Sequence, residues 1–509
     1  MTENTPPTAG VIRPGDDGYQ DLSERGLNQR FTARPEEFRL ATTTEQVVAA
    51  VRDAVRDGKR IAVRSGGHGY ENTVGDPAVQ VVIDLGGMSD VSFDAERGAF
   101  AVEPGVRLAE LYRTLYEGWG VTLPAGDSAT VGLGGHVVGG GFGSLSRRDG
   151  LAADHLWAVE VVVVDADGEV RAVVATRDPE DPHHDLWWAH TGGGGGGFGV
   201  VTRYWFRSPG ATGDDPRTAL PQPPASVLAA TVLFNRESLD REAFCTLVGN
   251  FGRWHEANSE PDSPYASLFS GLILLGRPRQ GDPGMGAVAF AHLDAGLPDA
   301  ERLLNAYVAE ITAGVGDFAV VLPTEELSWL DAKKALAQSQ DAEVGRQKVK
   351  SAFLRRGYET SQIETLYDYL DGVDHDNDSS LVALQSYGGG INAVAPDATA
   401  SAQRDSVMQA FFMNTWQDED LDAANLDWMR RLFRDLYAKT GGVPVPGFEH
   451  DGCYVNFADT DLADPEWNTS GVPWEELYFR GNTERLRAVK RVWDPRDVFR
   501  HALSIRAED

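Results

Sequence analysis

The chain has 509 residues, more than one compact core organises, since cores stop growing near about 250–300 residues, so two domains are expected. Hydrophobic residues make up 42% and charged residues 24%, the balance of ordinary globular protein, and no apolar run of about 18 residues is present to span a membrane. With 46 Lys and Arg against 77 Asp and Glu, the net charge of −31 repels phosphate backbones and anionic lipid, which argues against nucleic acid and membrane partners.

The first twenty residues, MTENTPPTAGVIRPGDDGYQ, carry neither the basic nor the apolar part of a secretory signal. The two cysteines, Cys245 and Cys453, lack disulfide or metal-ligand spacing, so a soluble cytoplasmic protein with no structural metal is expected. From Glu37 to Arg60 apolar residues fall partly at helical spacing, which predicts a helix followed by a strand from Arg60 to Val63. Runs Val79–Leu85, Ala99–Val102 and Val159–Val164 predict strands, and Leu108–Tyr116 predicts a helix between two of them.

After Phe206 the Pro-, Gly- and Asp-rich stretch SPGATGDDPRTALPQPPAS marks a boundary. Beyond it Val227–Phe234 and Ala266–Leu275 predict strands, and Asp299–Ile311, Ile363–Leu370 and Ala423–Lys439 predict helices. An antiparallel sheet with helices on one face follows from that order. The crossing TGGVPVPGF then leads to CYVNFADTDL and a helix over Asn482–Val492. The expected organisation is α+β, with a first domain over residues 1–206, a second over 207–445 and a C-terminal segment, 446–509, that returns to the first.

Three glycine-rich segments carry the chemistry. In RSGGHGYENTVG, residues 64–75, Arg64, Ser65, Gly66, Gly67 and Gly69 surround His68 at a strand end, so its ring stands out from a closely approached backbone, a placement that suits a covalent tether. In LPAGDSATVGLGGHVVGGGFG, residues 123–143, small residues (Gly126, Ser128, Val131, Gly132, Gly135, Gly140, Gly141, Gly143) leave backbone N–H groups to face a diphosphate around His136. No Gly-Lys-Ser/Thr follows the glycines and no G-x-G-x-x-G opens a helix, which excludes a Walker loop and disfavours nicotinamide-dinucleotide binding. The run Gly192–Gly199, followed by Val200, again fits backbone pressed against a ligand.

Taken in order, RSGGHGYE, IDLGGM (83–88), VEPGVRLAELY (102–112), the glycine motif with RRDGLAAD (147–154), DLWWAHTGGGGGGFGVVT (185–202), and YVNFADTDL with YFRGNTERLRAVKRVWDPRDVF resemble the berberine bridge enzyme-like flavoproteins of the vanillyl-alcohol-oxidase superfamily. The resemblance spans nearly the whole chain and implies a two-part PCMH-type FAD-binding domain plus a substrate domain. It implies FAD bonded through His68 to the flavin 8α carbon. The second, cysteinyl bond of many members is expected to be absent, because Ser128 stands at the matching position. Val131 matches the oxygen gate, and His136 the histidine whose donor stabilises charge at flavin N1 and the C2 oxygen.

Tyr387 in LQSYGGGIN and Tyr454 in CYVNF fall where the family places active-site residues, with Tyr454 the preferred base. A phenol with a pKa near about 10 needs a partner. Gln385, Tyr387 or Asn392 is expected to supply it, Gln385 and Tyr387 sharing a strand face at period two. Gln385 and Asn392 are the candidate substrate contacts, with Lys350, Arg355 and Trp416 as further neighbours of the cleft; Asn456 and Asp459 orient backbone or cofactor, and Asn482 and Arg485 pack the closing helix. The resemblance thus implies an oxidase that moves hydride from an alcohol, sugar or secondary metabolite to flavin N5 and electrons to O2. The alternatives are a flavin-dependent dehydrogenase or oxidative cyclase, and a flavin-binding protein without turnover.

Overall fold

The computed structural model describes residues 10–278, 284–315, 319–340, 344–372 and 379–508. Residues 1–9, part of the segment read for an export signal, lie outside them. Among the described residues no helix is long and apolar enough to cross a membrane.

Two small sheets come first. Strands β1 (Gly10–Ile12), β2 (Glu37–Leu40), β3 (Ile61–Arg64) and β4 (Val81–Asp84) form a sheet of order β1-β2-β4-β3, in which the last three are mutually parallel. Strands β5 (Val91–Asp94), β6 (Ala99–Val102), β7 (Leu156–Val164), β8 (Val170–Thr176) and β9 (Val200–Phe206) form an antiparallel sheet of order β5-β6-β9-β7-β8. The helix Thr44–Arg56 joins the two: Val47, Ala50, Val51 and Ala54, at helical spacing, pack with Val81 and Ile83 of one sheet and Val162 and Val164 of the other.

The helix predicted from Glu37 starts only at Thr44, where Thr43 caps it by accepting from the Gln46 N–H. Residues 37–40 are strand β2 because Phe38 and Leu40 alternate at period two and pair with Val82 and Asp84.

Strands β10 (Ser226–Asn235), β11 (Phe269–Leu275), β12 (Met285–Asp294), β13 (Ala319–Val321), β14 (Glu325–Ser328), β15 (Arg346–Leu354), β16 (Ser380–Ser386) and β17 (Met408–Trp416) form the third sheet. Its order is β13-β10-β12-β11-β16-β17-β15, with β14 on β10, and every pairing is antiparallel. Helices Arg241–Asn258, Ala300–Thr312, Thr360–Asp371 and Asp422–Leu436 pack against one another and against one face of it, burying Val382, Leu384, Ala410 and Phe412. The other face, carrying Phe290, Phe353, Gln385, Gln409 and Phe411 in matched register, looks toward the loops of the first two sheets.

The tail returns to those sheets. Helix Thr483–Trp493 packs on helix His184–Ala189, with Arg485 paired to Asp185 and stacked 4.0 Å from the Trp188 ring. Asn482 donates to the carbonyls of Pro396 (2.9 Å) and Thr399 (3.2 Å). The buried Lys490 donates to Gly197 O (2.8 Å) and Phe499 O (2.7 Å), fixing the Gly192–Gly199 run to the last residues of the chain.

A buried ionic cluster ties all three parts together. Lys348 on β15 meets Glu71 (2.8 Å), three residues beyond His68, and Asp459 (2.7 Å) of the tail; Lys350 meets Asp459 (2.6 Å) and Asp461 (2.8 Å); and Arg430 closes on Asp461 (2.8 Å). Burial alone would lower the pKa of Lys348, but Asp459, Glu71 and Asp461 hold it above the usual lysine range. For Asp461 burial is likewise outweighed, by Lys350 and Lys348, and its carboxyl stays below the usual range. Lys348→Met leaves Glu71 and Asp459 short of a counter-charge in a dry site, so the variant is expected to lose about 3–5 kcal/mol. A denaturant titration reads this, and an unchanged midpoint would mean that the cluster adds nothing to stability.

Candidate functional site

Backbone contact between two glycine loops creates the site. A Cβ on Gly132 would lie 2.3 Å from Ser65 Oγ and 2.4 Å from Gly66 N, so the segments 64–69 and 131–136 cross with main chain on main chain. Beside this crossing a cleft of about 320 Å³ is lined by residues 61–71, 131, 132, 134–136, 193–197, 199–201, 455–458, 499–501 and 503–505.

His68 is half-buried in its wall, its Nε2 3.0 Å from the hydroxyl of Thr130. Ser128 stands two residues before Thr130 in the same loop. Arg64 reaches the cleft, but its guanidinium pairs with Asp84 (2.7 Å) and donates to the Leu22 carbonyl (2.7 Å); it braces the loop. Ser65 donates to Pro104 O (2.6 Å). Gly67, Gly69, Val131, Gly135, Gly199 and Val200 line the same cleft, and the position where Gly135 would carry a Cβ is open space. Gly126, Gly140, Gly141 and Gly143 are packed behind it: a Cβ on Gly143 would lie 1.9 Å from Ala125 O, and one on Gly126 2.8 Å from the His136 ring.

His136 has a defined protonation state. The Gly126 N–H donates to its Nε2 at 2.8 Å, so the ring hydrogen is on Nδ1. Burial, reinforced by Lys333, pushes its pKa down to about 4, so the ring is neutral at ordinary pH and offers one N–H donor at the cleft wall. A neutral donor beside an open backbone cradle fits a flavin dinucleotide, whose ring system gathers negative charge on reduction.

Tyr454 is buried at the junction with the third sheet. Its hydroxyl accepts from Asn456 Nδ2 (2.9 Å) and from the Phe142 N–H (3.3 Å), and the same Asn456 amide donates to His136 O (2.9 Å). Burial pushes the phenol up to about 12, against the pull of those hydrogen bonds. The partner of Tyr454 is thus Asn456, two residues on, and not Gln385, Tyr387 or Asn392.

The Tyr387 hydroxyl donates to Gln403 O (3.2 Å) and Asn392 donates to Ser406 O (3.0 Å). Burial raises the Tyr387 phenol well above its ordinary range. Tyr387 lies one residue past β16, its ring 5.2 Å from Phe142 and 4.9 Å from Phe353. Gln385 is half-buried on the inward face, opposite Gln409, and Phe353 on that face lies 5.8 Å from the Tyr454 ring. Lys350 and Asp459 belong to the ionic cluster, Arg355 pairs with Asp405 and Asp451, and Trp416 donates to Asp422, so the polar groups of all four are engaged within the protein.

Sequence reasoning missed an aromatic wall. Tyr70 lies 5.7 Å from Phe457, which lies 4.6 Å from Phe411 and 5.1 Å from Tyr454. Tyr70 and Phe457 flank motif residues His68 and Asn456, a signal within reach; Phe411 needed the sheet register. The reading also missed residues 499–505, whose His501 bonds Gly195 O (2.9 Å), because only tertiary packing brings them to the glycine run. Among the described residues no group of three or more His, Cys, Asp or Glu is placed to hold a metal.

Residues 35–173 match the FAD binding domain family model, and residues 453–506 match the model described as berberine and berberine like. The aclacinomycin-N/aclacinomycin-A oxidase of Streptomyces galilaeus is 51% identical over 96% of this chain and 88% of its own. The hexose oxidase of Chondrus crispus is 31% identical over 95% and 92%. Among solved structures, a glycopeptide hexose oxidase complexed with teicoplanin superposes with a TM-score of 0.94 at 45% identity, covering 99% of both chains. Aclacinomycin oxidoreductase gives 0.93 at 50%, covering 98% and 99%. Half-identity over almost the full length, joined to a cleft whose backbone and neutral histidine suit a flavin dinucleotide, means that the chain belongs to the berberine-like family of FAD-linked oxidases.

Proposed function

We propose that the protein oxidises a sugar, free or carried on a larger natural product, with FAD tethered singly through His68 and Tyr454 acting as the base. The observation that carries this reading is the Asn456 bridge, which links the Tyr454 hydroxyl to the backbone of His136 and so couples the candidate base to the cofactor wall. Support for the substrate class comes from relatives named for oxidising aclacinomycins and hexoses. Bound FAD supplies a hydride acceptor at N5 and returns the electrons to O2 as hydrogen peroxide.

The chain's own residues do the rest. Tyr454 takes the proton of the substrate hydroxyl at its phenolic oxygen, where the two donors it already accepts stabilise the anion. His136 presents Nδ1–H to developing negative charge. Gln385 and Asn392 orient the substrate from the sheet side, and Tyr387 completes the wall behind it. Tyr70, Phe411 and Phe457 exclude water and cover the apolar flank of the substrate. Val131 leaves room for dioxygen at the cleft. In this reading residues 1–206 with 446–509 hold the cofactor and 207–445 the substrate, and the enzyme works in the cytoplasm, where Cys245 and Cys453 stay as free thiols.

Anaerobic mixing with a panel of hexoses and glycosylated aromatic compounds tests the reaction. A productive substrate, supplied at one equivalent per flavin, bleaches the flavin, and admission of air restores the colour within seconds with one peroxide per flavin. Reduced enzyme that persists for minutes in air would instead favour the dehydrogenase.

A further inference from the structure

We propose that Thr130 is the positioning residue for covalent attachment of the flavin, holding His68 through Nε2 so that the bond to the 8α carbon forms at Nδ1; this rests on the tethered-FAD reading above. The contact is 3.0 Å from Thr130 Oγ1 to His68 Nε2. Both ends are independently anchored. On the Thr130 side, Leu108 N–H donates to Val131 O (3.0 Å) and Ala109 N–H to Ala129 O (3.2 Å), so the start of helix Leu108–Trp119 grips the residues on either side of Thr130. On the His68 side, Leu27 N–H donates to Gly67 O (2.9 Å), and Gly66 rests on Gly132. The Thr130 hydroxyl meets the His68 ring between two clamped loops, so this contact helps to fix the direction of the imidazole.

A neutral imidazole has one N–H and one lone pair, and the hydrogen bond made by one nitrogen decides which role the other takes. In the proposed arrangement the Thr130 oxygen accepts from Nε2–H, which puts the lone pair on Nδ1. Attachment joins Nδ1 to the 8α carbon, breaks one methyl C–H bond and releases that hydrogen as a proton; Nε2 loses its own proton, past Thr130. The electron pair of the broken C–H bond passes to the flavin and from there to O2, which leaves as hydrogen peroxide with two protons. As Nδ1 becomes bonded, positive charge spreads to Nε2–H, and the Thr130 oxygen stabilises it.

The full chain, produced with little bound flavin and then given FAD, provides the test in wild-type, Thr130→Val and Thr130→Ser forms. Thr130→Val is expected to bind the same total flavin but to convert it to acid-stable flavin at least about tenfold more slowly, the size of one lost hydrogen bond, with Thr130→Ser within about twofold of wild type. Nuclear magnetic resonance of the proteolytic histidyl-flavin peptide is expected to show the link at Nδ1. Attachment at the wild-type rate in Thr130→Val, loss of flavin binding altogether in that variant, or a link at Nε2 would each overturn the proposal. Wild-type protein with no acid-stable flavin would remove the tether itself, a separate and visible failure.

Discussion

Tyr454→Phe is expected to lower kcat by about two to four powers of ten, the usual contribution of a positioned base, with FAD content unchanged. Phenylalanine keeps the ring against Phe353 and Phe457 and removes only the oxygen that accepts from Asn456 and Phe142. The pH profile gives a second reading of the same residue. Burial pushes the phenol to about 12, so at neutral pH the base is mostly protonated and its active, deprotonated fraction grows as pH rises. The wild-type kcat/KM is therefore expected to climb through the alkaline range toward that value, and the climb to vanish in Tyr454→Phe. A variant that keeps both rate and profile would move the base elsewhere.

Gly132→Ala is expected to yield protein that folds poorly and carries little FAD. Its methyl group would lie 2.3 Å from Ser65 Oγ and 2.4 Å from Gly66 N, so the crossing loops must separate, and both line the cleft. Overpacking of this kind costs about 1–3 kcal/mol where side chains can shift, and more where main chain must. Gly135→Ala serves as the control, because no atom lies within 4 Å of the added Cβ; its melting temperature should match wild type. Equal flavin content in Gly132→Ala and wild type would show that the crossing does not shape the cofactor site.

Much of this site was legible because its chemistry is local in sequence. His68, Val131 and His136 each sit inside a glycine motif, and all three line one cleft. The partner of Tyr454 is also local, two residues on, but the strand periodicity that makes Gln385 and Tyr387 candidates says nothing of it: the donor is Asn456, in a loop where period two has no fixed meaning. Lys348 and Lys350, and Asp459 and Asp461, form two i, i+2 pairs of opposite charge over 100 residues apart, and sequence alone does not say that they meet. The segment 37–40 misled for a different reason: Phe38 and Leu40 suit a strand, but Val47, Val48 and Val51 downstream extend a helical pattern backwards across the Thr43 cap.

Acid precipitation separates a tethered flavin from a bound one most directly. Wild-type protein should pellet yellow, leaving a colourless supernatant, while His68→Ala should release all its flavin under the same treatment. Yellow supernatant from the wild type, or a pellet from His68→Ala that keeps its colour, would contradict the role given to His68.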